Sequence, residues 1–197
     1  MLIIDIEATG TNPHKHSILS IGAIDSLHQE NRFYGECRMW EGAHVMAEAL
    51  GVNGFTREQI SDNNKQTEAE LVTEFMEWTR GLADRTMAGQ NVSFDRAYLE
   101  ASCARAGVQY DLPFRTIDAH TLCYMHMTVR KITPPFDAVH KHSALNLDGV
   151  MNYCGLPDEP DPHNALTGAM SHAEVVSRLL YTKKLLPEFS QFEIPWL

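Results

Sequence analysis

The sequence predicts an α/β sandwich, with a mixed central sheet flanked by helices. Three apolar runs open the chain and are separated by polar turns, the pattern of an antiparallel sheet. Amphipathic helical stretches then alternate with short apolar runs, the pattern of strands fed by crossover helices. The composition, 44% hydrophobic and 21% charged, is that of an ordinary globular protein, and 197 residues suffice for one domain over 1–197 with a sizeable core.

Residues 1–7 read as the first strand, Ser17 to Asp25 as the second and Asn31 to Met39 as the third, with a polar hairpin around His28-Gln29-Glu30. Residues 43–51 read as a short helix ended by Gly51, and the stretch from Gly54 to Gln66 as loop or a helical turn. Thr67 with Glu70 three residues on forms a capping box for an amphipathic helix to about Leu82, its apolar face made by Leu71, Phe75 and Trp78. Thr86 to Gln90 is a short strand, and Phe94 to Ala106 a helix ended by Gly107. Thr116 begins a strand or helix entry leading to about Val129. Residues 130–142 hold two adjacent prolines and cannot form one regular helix. Ser143 to Cys154 reads as a helix ended by Gly155, Pro157 to Pro162 as a rigid acidic loop, and Asn164 to about Leu185 as the last long helix.

No apolar run approaches the roughly 18 to 20 residues that span a bilayer, so no membrane association is expected. The N-terminus lacks a basic region and carries acids at positions 5 and 7, unlike a signal peptide. The four cysteines (Cys37, Cys103, Cys123, Cys154) are scattered, with no C-x-x-C pair, and read as free thiols of a reducing compartment; a cytoplasmic location is expected. The net charge of −10 argues against a binder of long duplex DNA through its phosphates. It does not argue against an enzyme whose metals supply the positive charge for a short single strand.

Asp5 and Glu7 stand two apart within the first strand, so their carboxylates leave the same face. Two adjacent acids in an apolar strand repel each other and are costly to desolvate, unless a divalent cation neutralises them. Thr9-Gly10 lets the backbone turn sharply and approach a ligand closely. Asp95 falls in the first turn of its helix, where an acid is favoured by the helix dipole; that alone would make it a capping carboxylate. His163 precedes the last helix, and by itself could be a histidine without chemistry.

In combination these stretches resemble the DnaQ-like 3′–5′ exonucleases of the DEDDh type, a superfamily with the ribonuclease H-like fold that includes ribonuclease T, proofreading exonucleases and oligoribonuclease. The resemblance runs from Met1 to about Tyr181. It rests on Asp5-Ile6-Glu7-Ala8-Thr9-Gly10, Ser20-Ile21-Gly22-Ala23, Asn91-Val92-Ser93-Phe94-Asp95-Arg96-Ala97-Tyr98-Leu99, His163 and Ala173-Glu174-Val175. It implies hydrolysis of phosphodiester bonds by two cations roughly 3.5–4 Å apart. Asp5 would bridge both metals, Glu7 would hold the nucleophile-side metal and Asp95 the other. Hard oxygen ligands favour Mg²⁺ or Mn²⁺. His163 would be the general base, an imidazole's unperturbed pKa of about 6.5 suiting that task.

The chain departs from the family in its third motif, where the expected Asp is Gly168. Glu174, six residues on, lies on another side of the helix, whereas Asp161 could swing in. The protein is then a variant that holds its metal otherwise, an engineered inactivation, or a pseudo-exonuclease that only grips nucleic-acid ends. Restoring the acid with Gly168→Asp is expected to raise activity if the site is otherwise intact. The expected substrates are 3′ ends of single-stranded DNA or RNA or short oligonucleotides. A small-nucleotide phosphatase is the weaker alternative, and a homodimer is among the expected assemblies. Backbone groups of Ala8, Thr9 and Gly10 should approach the 3′-terminal nucleotide, with Asn91 in the same substrate-binding set. Phe94 is either a stacking platform or a core residue. Arg130, Lys131, His140, Lys141 and His142 form a basic cluster that either binds phosphates or is a solvated loop.

Overall fold

The computed structural model describes residues Met1–Leu197. Three strands come first: β1 (Leu2–Ala8), β2 (Ile18–Asp25) and β3 (His28–Glu36). Helices α1 (Ala47–Asn53), α2 (Arg57–Ile60) and α3 (Glu68–Thr79) follow, then β4 (Met87–Gly89), α4 (Ser93–Ala106), β5 (Thr116–Asp118) and α5 (Ala119–Val129). A small hairpin of β6 (Phe136–Asp137) and β7 (His142–Ser143) precedes α6 (Leu147–Tyr153) and α7 (Ala165–Tyr181). The sheet order is β3-β2-β1-β4-β5, antiparallel on the β3-β2-β1 side and parallel from β1 through β5. The expected α/β sandwich with a mixed sheet is what forms.

β1 is the central strand, and its alternation sorts residues between two cores. Leu2, Ile4, Ile6 and Ala8 join Leu71, Phe75, Tyr98 and Leu99 beneath α3 and α4. Ile3 joins Ala169, Ala173 and Val176 beneath α7. Each fully buried Leu or Ile contributes about 1.5–3 kcal/mol, so a one-residue slip, which would exchange the faces, is strongly opposed. Asp5 and Glu7 share the parity of Ile3 and are thereby held on the α7 face. Gly22 pairs with Asp5 across β1 and β2, and a Cβ there would run into the Ala165 backbone; the missing side chain lets α7 start directly on the sheet beside Asp5.

Local signals hold where side chains close them. Thr67 and Glu70 make both bonds of the capping box, and Gly107 ends α4 in the left-handed region at φ 66°. Elsewhere the boundaries differ from expectation. β3 begins at His28 rather than Asn31, because the Asp25 carboxylate accepts from the Leu27 N–H and meets His28, closing a tighter hairpin. α1 runs to Asn53, since Gly54 rather than Gly51 takes the left-handed cap at φ 70°. Thr56 and Gln59 form a second capping box, making α2 a helix. Ser143 belongs to β7, and the next helix starts only after Asn146, which caps it. α7 ends at Tyr181, with Thr182 left-handed, short of Leu185. All four cysteines are free and buried. No helix is long and apolar enough to cross a membrane.

Candidate active site

Three elements bring the expected acids together. β1 carries Asp5 and Glu7 on the face beneath α7, and its pairing with β2 slips between Glu7 and Ala8, an irregularity that turns the chain away at the end of the strand. β4 runs parallel to β1 and delivers α4, whose first turn places Asp95, 2% exposed, against the same point. Asn164 accepts from the N–H groups of Leu166 and Thr167 to cap α7, and fixes His163 just ahead of the helix; the His163 N–H donates to the Val52 carbonyl at the end of α1 (3.1 Å). Asp5, Glu7 and His163 line an open groove of about 270 Å³ with Ala8, Gly10, Val52, Asn53 and Phe94. Larger cavities lie elsewhere, but none gathers these acids.

A further carboxylate joins them. Glu159, from the acidic loop before α7, is buried and approaches His163 Nδ1 to 3.7 Å through Oε2. Sequence reasoning missed it because a loop residue has no periodicity to report its direction; the surviving signal was only the acidity of Pro157 to Pro162. Asn53 was missed too. Its amide donates to the Ala8 carbonyl (3.1 Å) and bonds Glu7, holding the end of β1 in place.

The electrostatics are those of crowded carboxyls whose burial and mutual repulsion oppose ionisation. Burial pushes the Asp5 carboxyl up to about 7 against the pull of His163. Burial, then the charges of Asp5 and Glu159, push Glu7 up to about 8, opposed by the Asn53 hydrogen bond. Burial and then Asp5 hold Asp95 well above the usual carboxylate range, and the same two causes raise Glu159 to about 7. Asp95 Oδ1 and Glu159 Oε1 have no hydrogen-bond partner although buried. Orphaned carboxylate oxygens of this kind are costly unless a cation shares them, and an all-oxygen donor set fits Mg²⁺ or Mn²⁺.

Not every expected residue faces this groove. Thr9 is fully buried: its hydroxyl donates to the His44 carbonyl (2.7 Å), its N–H to Ser17, and its carbonyl accepts from Met46, so it shapes the turn and has no group left for a nucleotide. The Gly10 carbonyl accepts from the Tyr98 hydroxyl (2.6 Å), tying the turn to α4. Asn91, whose backbone is left-handed (φ 53°), lines a separate cleft with Gln90, Asp118, His120 and His142. Phe94 satisfies both of its readings, packing on Tyr98 at 4.7 Å between ring centres while lining the groove. Of the basic cluster, His140 bonds Asp137 (2.7 Å) and stacks on His142, while Arg130, Lys131 and Lys141 are exposed. Of the acids near the third motif, Glu174 accepts from Arg178 (2.7 Å) and from the N–H groups of Leu185 and Leu186, and is spent there. Asp161 is 93% exposed at its side chain.

The chain is similar to known nucleases at several levels. The exonuclease family RNase_T matches residues 2–176. Ribonuclease T of Haemophilus influenzae strain PittGG is 26% identical over 170 residues, covering 73% of this chain and 72% of that protein. Among solved structures, E. coli Exonuclease I in complex with a dA16 oligonucleotide superposes with a TM-score of 0.70 at 16% identity, over 92% of this chain. This chain spans 40% of that one. Cell-death related nuclease 4 gives 0.71 at 16% identity, over 93% of this chain and 64% of its own. At those identities the structural likeness speaks for the fold. The family match covers nearly the whole sheet and α7: the chain belongs to the RNase_T exonuclease family, the DnaQ-like 3′–5′ exonucleases with a ribonuclease H-like fold.

Proposed function

We propose that the protein releases nucleoside monophosphates from the 3′ end of single-stranded DNA or RNA or of short oligonucleotides, with Asp5, Glu7 and Asp95 holding Mg²⁺ or Mn²⁺. The observation that carries this reading is a cluster of four buried acids: Asp5 and Glu7 line one open groove with His163, while Asp95 and Glu159, close enough to feel the Asp5 charge, each bury an orphaned oxygen. Bound divalent cations would supply the positive charge that a phosphodiester and its leaving oxygen need in hydrolysis. His163, a third exposed at its side chain, can reach a water in the groove and take its proton as the water attacks phosphorus and the bond to the 3′-oxygen breaks. Phe94 offers a ring face to the terminal base, and stacking of this kind tolerates any base.

The small groove and the net charge of −10 favour a single strand over a duplex. Exonuclease I in its complexes with dA16 and dT13 oligonucleotides points the same way. A 3′-labelled single-stranded oligonucleotide, as DNA and as RNA, tests the proposal in the presence of Mg²⁺ or Mn²⁺. The label should leave as a mononucleotide, and Asp5→Asn should slow that release by about a hundredfold or more. Binding of the strand without release under either metal would make the protein a pseudo-exonuclease. Phosphate release from mononucleotides alone would make it a phosphatase.

A further inference from the structure

We infer that Glu159 supplies the fourth carboxylate of the metal site, taking over from the loop the position that Gly168 leaves open on α7. Gly168 is buried one turn into α7 and faces Asp5. A Cβ built on it would run into Asp5 Oδ2 and lie 2.8 Å from Asp5 Cγ and 3.1 Å from Glu159 Oε1. The space that a side chain from position 168 would enter is therefore already held by the Asp5 and Glu159 carboxylates.

Glu159 has no other employment. It is 9% exposed, and its Oε1, the atom beside Gly168, accepts no hydrogen bond. The basic side chain of its own segment, His163, stands 3.7 Å from the other oxygen, beyond hydrogen-bond length. A buried carboxylate with an unshared oxygen, set against a second carboxylate, is destabilising on its own account. Its placement is nonetheless built in. The Glu159 N–H donates to Asp148 (3.0 Å), and the Asn152 amide on α6 donates to Asp158 (2.7 Å). Pro157, Pro160 and Pro162 narrow the backbone between these ties and α7. The rival acids are placed otherwise: Glu174 pairs with Arg178, and Asp161 is 93% exposed at its side chain and approaches only the outer nitrogen of His163, at 3.9 Å.

This assignment rests on the metal-dependent reading above, and Mn²⁺ binding to the full chain without substrate separates the two. Free Mn²⁺ is followed by electron paramagnetic resonance during titration, and Tm is recorded with and without the metal. Glu159→Gln should weaken Mn²⁺ binding about tenfold or more. It should lose most of the metal-induced rise in Tm, while the metal-free Tm stays level or rises, since one of several crowded like charges is gone. Glu159→Asp, which keeps the charge on a shorter arm, should fold and retain part of the affinity. Asp161→Asn should bind as the wild type does. Wild-type affinity in Glu159→Gln alongside lost affinity in Asp5→Asn would overturn the assignment and leave the metal site standing. So would a lower metal-free Tm in Glu159→Gln with its Mn²⁺ affinity intact, the mark of a packing residue. A wild-type protein that binds no Mn²⁺ would bring down both.

Discussion

At position 168 two effects of opposite sign meet. Replacing glycine by alanine inside a helix ordinarily stabilises by about 1 kcal/mol. Here the new methyl group would collide with the Asp5 carboxylate, and overpacking in a well-filled site costs about 1–3 kcal/mol. The second effect wins, because Asp5 sits on the central strand and is too short to swing clear without leaving its place. Gly168→Ala should therefore lower the Tm and, by moving Asp5, cut 3′-end release at least about tenfold. Thermal denaturation and the labelled-oligonucleotide assay read the two effects, and a variant as stable and active as the wild type would contradict them. The same collision reverses the expectation for Gly168→Asp: adding the family's acid does not complete this site but displaces Asp5, so activity should fall. Sequence could not show this, since the gap at Gly168 is visible along the chain while the carboxylates filling it come from β1 and from the loop before α7, whose direction no periodicity reports.

α7 shows what an element contributes beyond the residues at its start. Its last turns bury Arg178, whose guanidinium donates to Glu174, to the Cys154 carbonyl (2.9 Å) and to the carbonyls of Phe189 (3.2 Å), Phe192 (3.0 Å) and Glu193 (3.2 Å). One side chain thus binds the C-terminal segment to the helix that shapes the groove. Removing one partner of a buried pair costs about 3–5 kcal/mol, so Arg178→Met should unfold at much lower denaturant and expose residues 185–197 to limited proteolysis. Resistance equal to the wild type's would show the segment held by its apolar contacts instead. Among the elements, the legible ones were those with a closed local signal, such as the capping box of α3 or the glycine ending α4. β3 was misplaced because a side-chain bond at Asp25 shortened its hairpin, and α6 because Ser143 was claimed by a partner strand. Asp5 and Glu7 were legible from their two-residue spacing on a strand, whereas Asp95 and His163 stood out only through the resemblance to the exonuclease family. Glu159 was not legible, because loop direction is set by tertiary ties to Asp148 and α6.

For the whole molecule, the crowded carboxylates make metal and acidity alternative ways of relieving one strain. Asp5, Glu7 and Glu159 titrate in the folded, metal-free protein near 7, 8 and 7. Unfolded carboxyls titrate near about 4. The folded state therefore binds more protons between these limits. The stability this cluster contributes is present below about pH 4 and lost as pH rises through about 7 to 8. Metal-free protein should show a Tm lower by several degrees at about pH 8.5 than at about pH 5.5, and saturating Mg²⁺ should largely abolish the difference. A metal-free Tm that holds level or rises across that interval would be inconsistent with the burial of these groups.

The arrangement over Gly168 also bears on how such chains are classified. An alignment compares columns, and in the column of the missing acid this protein would be scored as dead. Chemistry compares points in space, and there an acid stands, reached from the loop that precedes the helix. A loop, unlike a helix, can be rebuilt without disturbing the sheet. The ligand that this protein places on its loop is consequently the one most open to change in descendants of the chain, by substitution or by the docking of the loop itself.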